Sequence, residues 1–117
     1  MTLSELQAAF TFKVALLVSW AYTHGYKLTY GEAYRTPEQA SWDVEHGTGI
    51  LNSEHGKRLA VDFNLFIGGV YRADAEAYRP LGEQWKSLSE ADIPCCWGGD
   101  FHRLDGNHFS IRYEGVE

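Results

Sequence analysis

Long hydrophobic runs, blocks of basic residues and separated cysteines are all missing from this chain, and each absence closes off a class of protein. The richest apolar run, VALLVSWAY (Val14–Tyr22), falls far short of the roughly 20 residues that a membrane-spanning helix needs. The opening MTLSEL has no basic start followed by an apolar stretch, so no secretory leader is expected and the chain reads as a soluble protein made in the cytoplasm. Acidic and basic residues are mixed along the chain, the formal net charge is −6, and no Lys/Arg block forms a phosphate-binding footprint. Nucleic acid is therefore not an expected partner. The only cysteines, Cys95 and Cys96, are adjacent. A disulfide between neighbours strains the intervening peptide, and two adjacent thiols are too few and too close to form a zinc site alone. They read as reduced thiols packed near the end of a strand.

What is present suits one compact domain spanning residues 1–117. The chain is 44% apolar and 15% aromatic, which is enough for a core and argues against disorder. Leu6, Phe10, Val14, Leu17 and Ala21 recur at steps of three and four, predicting a helix over 4–24 with Ser4 as its N-cap and Gly25 as its stop. YKLTYGEAYR (26–35) reads as a strand ending near Gly31. Thr36-Pro37-Glu38 opens a second helix that closes on Gly47. A polar loop, TGILNSEHGKR, leads to the strand LAVDFNLF, and Gly68–Gly69 turns it into a hairpin. Tyr78, Leu81, Trp85 and Leu88 predict a third helix despite Pro80, CCWGGDFHRLDG is loop-like, and NHFSIRY alternates as a last strand. Helices with hairpin-connected strands predict an α+β fold, helices packed on a small antiparallel sheet.

Two strands carry residues that a plain core strand would not. In LAVDFNLF, Leu59, Val61, Phe63 and Leu65 share one face, and Ala60, Asp62 and Asn64 share the other. That second face is either simply wet or lines a site; Ala60 and Phe66 on it make it unlike an ordinary solvated surface. In NHFSIRY, Phe109, Ile111 and Tyr113 oppose His108, Ser110 and Arg112. His55, in the loop seven residues before Asp62, is close enough in sequence to fold back beside it, although spacing alone does not place it there. His55, Asp62 and His108 would supply two imidazoles and a carboxylate, a ligand set known for catalytic zinc with one position left open. Asp105, three residues before His108, stands where a carboxylate could reach a water on the same metal.

These segments resemble the M15 zinc peptidases, the D-alanyl-D-alanine carboxypeptidases and their relatives among bacteriophage endolysins. SEHGKRLAVDFNLF is similar to the family's Ser-x-His-(x)6-Asp motif, and DGNHF to its second motif, an acidic residue three positions before the last zinc-binding histidine. GEAYRTPEQ resembles the element that brings an arginine into the active site, and WGGDF the tryptophan-glycine segment before the second motif. The resemblance runs from about Tyr26 to Tyr113 and implies a Hedgehog/DD-peptidase-like fold. It implies His55, Asp62 and His108 as zinc ligands and Asp105 as general base. Arg35 would position the substrate or steady the oxyanion, with Ser53 beside the metal. Asp105 departs from the glutamate that many members carry. Asp100 competes weakly for the base role, His102 reads as cleft wall or surface, and His24 and His46 read as helix C-terminal residues. Trp85 and Trp97 read as core or cleft wall.

The function so implied is cleavage of peptide stems of bacterial peptidoglycan by a monomer that does not insert into membranes. The phage-type build points to an L-alanyl-D-glutamate endolysin, made in the host cytoplasm and reaching the wall through a membrane pore. The alternatives are a D-alanyl-D-alanine carboxypeptidase or dipeptidase and, from a different class, a non-catalytic zinc-stabilised wall-binding module.

Overall fold

The computed structural model describes residues 1–47 and 53–117. Among these residues, three α-helices, α1 (Leu3–Thr23), α2 (Pro37–Glu45) and α3 (Ala75–Ser87), accompany five strands: β1 (Tyr26–Tyr30), β2 (Ala60–Ile67), β3 (Val70–Arg72), β4 (Cys95–Trp97) and β5 (His108–Ile111). The expected α+β fold is present. The sheet is antiparallel throughout and ordered β1-β2-β5-β4, with β3 also on β2. β2 is long enough to serve three neighbours. One of its edges pairs with β1; the other takes β5 along Ala60–Asp62 and β3 along Leu65–Ile67.

Local chemistry explains most element ends. Thr2, rather than Ser4, caps α1: its hydroxyl accepts from the Glu5 N–H while the Glu5 carboxylate accepts from the Thr2 N–H. This reciprocal box satisfies two helix-end donors at once, which a cap at Ser4 would not. Thr36 caps α2 ahead of Pro37, as expected. Gly68 and Gly69 both take positive φ (58° and 78°), the backbone of a tight hairpin between β2 and β3. CCWGGDFHRLDG is not all loop, because Cys95–Trp97 pairs with Phe109–Ile111 as the edge strand β4. Part of the predicted loop after α2, residues 48–52, lies outside the described residues.

The sheet sorts its side chains by face. Val61, Phe63, Leu65, Phe109, Ile111 and Trp97 are buried against Leu6, Phe10, Leu17 and Ala21 of α1 and Tyr78, Leu81 and Trp85 of α3. Trp85 meets Phe10 and Phe109 edge to face, at ring-centre distances of 5.7 and 6.2 Å. Its indole N–H donates to the Ser110 carbonyl at 3.0 Å. Both helices thus cover one face of the sheet, and Asp62, His108 and Ser110 are left on the other. The buried Lys13 of α1 donates to the Leu88 carbonyl at the end of α3 and pairs with Glu90, tying the two helices together.

Gly82 sets how closely α3 approaches β4, since a Cβ there would lie 2.1 Å from the Trp97 ring. Helix propensity alone would make Gly82→Ala stabilising by about 0.5–1 kcal/mol, whereas overpacking costs about 1–3 kcal/mol. Packing wins, and the variant is expected to melt several degrees lower. A thermal melt at or above the wild-type value would show that α3 can shift freely.

Candidate metal centre

The site begins with strand register. Asp62 and His108 are directly opposed on β2 and β5. They do not exchange main-chain bonds: the Asp62 N–H donates to the Glu32 carbonyl and the His108 N–H to the Asp105 carbonyl. In such a non-hydrogen-bonded pair the side chains lie closest, on the same face. Here His108 Nδ1 is 3.4 Å from Asp62 Oδ1.

His55 arrives from a tighter structure than a free loop. Glu54–Lys57 is a 3-10 turn whose N-cap is Ser53, the Ser53 hydroxyl accepting from the His55 N–H at 3.2 Å. Main-chain bonds Gly56 N–H to Ser53, Arg58 N–H to His55 and Leu59 N–H to Glu54 close the turn, with Arg58 in the left-handed region (φ 58°). The sequence places His55 in a loop close enough to fold back beside Asp62. It is instead held rigidly, 3% exposed, with Nε2 3.3 Å from Asp62 Oδ1. The rings of His55 and His108 stand edge to face at 5.1 Å.

Asp105 sits at the rim, half exposed, with Oδ2 3.9 Å from His108 Nδ1. Its turn is clamped from below. Trp97 donates its indole N–H to the Gly106 carbonyl at 2.7 Å, and the Asp105 N–H donates to the Gly98 carbonyl. A Cβ at Gly98 would fall 1.9 Å from the Asp105 main-chain carbonyl oxygen, so this close approach requires glycine. Trp97 is therefore core and also the brace of the Asp105 turn. His55, Asp62, Asp105 and His108, with Arg35 and Ser53, line one cavity of about 420 Å³.

The remaining sequence candidates separate cleanly from this cluster. Asp100 pairs with Lys86 at 2.8 Å and does not line the cavity. His102 is exposed and does not line it either. His24 and His46 cap α1 and α2, each stacked on a tryptophan of the preceding turn with Nδ1 2.7 Å from that residue's carbonyl. Cys95 and Cys96 are buried and free, in β4.

Three acidic residues at the site escaped the sequence reading. Glu32 bonds Arg35 and lies 3.5 Å from His55 Nδ1; its only signal was standing three residues before Arg35. Glu117 offers its main-chain oxygen to His108 Nε2 (2.9 Å) and to the Ser110 hydroxyl (2.7 Å), a contact no spacing announces. Glu54 is 1% exposed, and among the described residues neither carboxylate oxygen has a hydrogen-bond partner. Burial pushes its carboxyl up to about 7, against the Lys57 ammonium 4.0 Å away.

Residues 46–111, just over half of the chain, match the sequence profile of a family described as D-alanyl-D-alanine carboxypeptidase. The chain belongs to the M15 peptidases. Its fold is similar to the crystal structure of Serratia marcescens L-Ala D-Glu endopeptidase ChiX, with a TM-score of 0.76 and 21% identity over 90% of this chain and 79% of that one. No curated protein sequence matches it.

The donors of this M15 chain fit a metal ion. One ligand atom each from His55, Asp62 and His108 lie within 4.8 Å of one another. Asp62 Oδ1 is buried and, among the described residues, has no hydrogen-bond partner, although two imidazole nitrogens face it, as expected of atoms arranged around a cation rather than around each other. Burial alone would raise the Asp62 carboxyl, but contacts from His108 and His55 outweigh it and bring the carboxyl from 3.8 down to about 2. Burial likewise opposes charge on His108, yet Asp62 and the Glu117 main-chain oxygen raise it above its ordinary value.

The Asp62–His108 attraction contributes to both shifts, and their signs define a pH window. Asp62 contributes stability above about pH 4 that is lost as pH falls toward 2; His108 contributes below about pH 6.5 and the contribution is lost as pH rises through its higher folded value. Metal-free protein is expected to be most stable between those limits. Melting with a chelator from pH 3 to 9 checks this, and Asp62→Asn should flatten both limbs.

Proposed function

We propose that this M15 chain is a zinc-dependent L-alanyl-D-glutamate endopeptidase, acting on peptide stems of bacterial peptidoglycan as a phage endolysin. The observation that carries the reading is the three-donor cluster at the floor of a cavity with one further carboxylate, Asp105, at its rim. The fold likeness to a protein titled an L-Ala D-Glu endopeptidase supports the choice of bond. No helix among the described residues is long and apolar enough to cross a membrane. The proposal includes a monomer, made in the host cytoplasm and reaching the wall through a pore made by another protein.

In this reading His55, Asp62 and His108 would hold the zinc. Zinc bound there supplies Lewis acidity toward the scissile carbonyl and lowers the pKa of the attacking water. Asp105, at the rim of the cavity, would accept a proton from the attacking water and deliver it to the leaving amine nitrogen. Partial burial raises its carboxyl above the ordinary carboxylate value, which makes it a better proton acceptor than a fully solvated aspartate. Ser53 acts on the site by holding the His55 turn. Arg35, mostly buried at the cavity wall, orients the substrate from the side of Glu32.

Purified protein incubated with bacterial cell walls should release new amino termini, and mass spectrometry of the fragments should show cleavage after L-alanine. Loss of terminal D-alanine instead would assign the carboxypeptidase activity, and wall binding without any cleavage would assign the non-catalytic module. A chelator is expected to abolish turnover and added zinc to restore it. Asp105→Asn should keep zinc while turnover falls about 10²–10⁴-fold; if it stays active, Asp105 is not the base.

A further inference from the structure

The segment Gly31–Arg35 is tied to both ends of the first metal motif. The Gly31 N–H donates to the Asp62 carbonyl, the Asp62 N–H to the Glu32 carbonyl, and the Arg35 N–H to the His55 carbonyl. Against this frame one side-chain atom, Glu32 Oε1, has three neighbours. Arg35 donates to it from Nε at 3.0 Å and from Nη2 at 2.5 Å, and His55 Nδ1 lies 3.5 Å away. Among the described residues that buried ring nitrogen has no hydrogen-bond partner, while its sister, Nε2, faces Asp62.

A buried imidazole nitrogen without a partner is costly, and the neutral ring carries a single N–H. Placing the proton on Nδ1 lets it be shared with Glu32 and leaves the Nε2 lone pair pointing at the metal position. The opposite tautomer would leave Nδ1 orphaned and turn a proton toward the ion. Glu32 can face His55 only if its carboxylate is kept from swinging to solvent, where it is already about one-third exposed. The fork of Arg35 prevents that swing, and Asp43, 3.9 Å from Arg35 Nε, holds the guanidinium from behind.

We propose that Glu32 is a positioning residue that links Arg35 to the metal centre: it fixes the tautomer and orientation of His55, and Arg35 in turn fixes Glu32. The inference rests on the reading of His55 as a metal ligand and adds a role for Arg35 that contact with substrate would not produce. A partner of this kind contributes about 10–100-fold in metal affinity to the ligand it orients.

The experiment is competition titration of zinc against a chromophoric chelator, on protein shown to be folded by circular dichroism. Glu32→Ala is expected to bind zinc about 10–100-fold more weakly, and Glu32→Gln, which keeps an acceptor, to recover part of the loss. Arg35→Ala should weaken zinc in the same direction, and the double variant should bind no more weakly than Glu32→Ala alone, because Arg35 acts through Glu32. Zinc affinity within twofold of wild type in Glu32→Ala overturns the proposal. An unchanged affinity in Arg35→Ala overturns the link and returns Arg35 to a role in substrate contact alone. Should the wild type bind no zinc, the metal reading falls, and nitrogen NMR of the metal-free protein still decides on Glu32. A His55 Nδ1–H tautomer that is lost in Glu32→Ala sustains its positioning role, and a tautomer unaffected by the substitution overturns it.

Discussion

The placement of Asp62 opposite His108 is the constraint on which the site depends. It is a property of strand pairing: if β5 slipped by one residue along β2, His108 would turn into the core and Phe109 would turn out to the cavity. The core prevents that slip. Val61 and Phe109 are paired and buried on the opposite face, beneath Trp85 and Tyr78, so the hydrophobic contacts that stabilise the domain also hold the two polar groups in register. Precision at the polar face is thus inherited from packing at the apolar face.

Everything else at the site is attached to that pair by main-chain hydrogen bonds rather than by long side chains. His55 stands on a closed 3-10 turn, Asp105 on a turn clamped by Trp97 and Gly98, and Arg35 on a segment bonded to both Asp62 and His55. Short, main-chain-anchored supports lose little conformational entropy when an ion or substrate arrives, which suits a centre whose ligands must sit within a fraction of an ångström of a fixed geometry. The cluster of imidazoles and carboxylates is correspondingly poor as an ion-free arrangement: among the described residues, the buried Asp62 Oδ1 and His55 Nδ1 have no hydrogen-bond partner.

Much of the fold was legible because its signals are local or periodic. The α1 face, the capped start of α2, the β2–β3 hairpin and the alternation of β5 each depend on neighbours a few residues away. The misses are also physical. Thr2 outcompeted Ser4 because the capping box needs Glu5 three residues later, and Cys95–Trp97 became a strand because β5 offered an edge, which no local propensity reports. The motif residues His55, Asp62, Asp105 and His108 stood out by type and spacing, whereas Glu32, Glu54 and Glu117 did not, since a carboxylate or a main-chain oxygen reached from elsewhere in the chain leaves no periodic mark.

By itself, then, the sequence determined which side chains face away from the core: alternation puts Asp62 and His108 on the polar face of their strands whatever the strands pair with. It also determined the family, through motifs spaced along the chain. Only the tertiary structure decided that those two residues are opposed, that His55 Nε2 rather than Nδ1 turns toward them, and that Arg35 is engaged by Glu32. Register, ring orientation and the choice of ion-pair partner are settled by contacts between segments far apart in the chain, and pairing of that kind is written only in three dimensions.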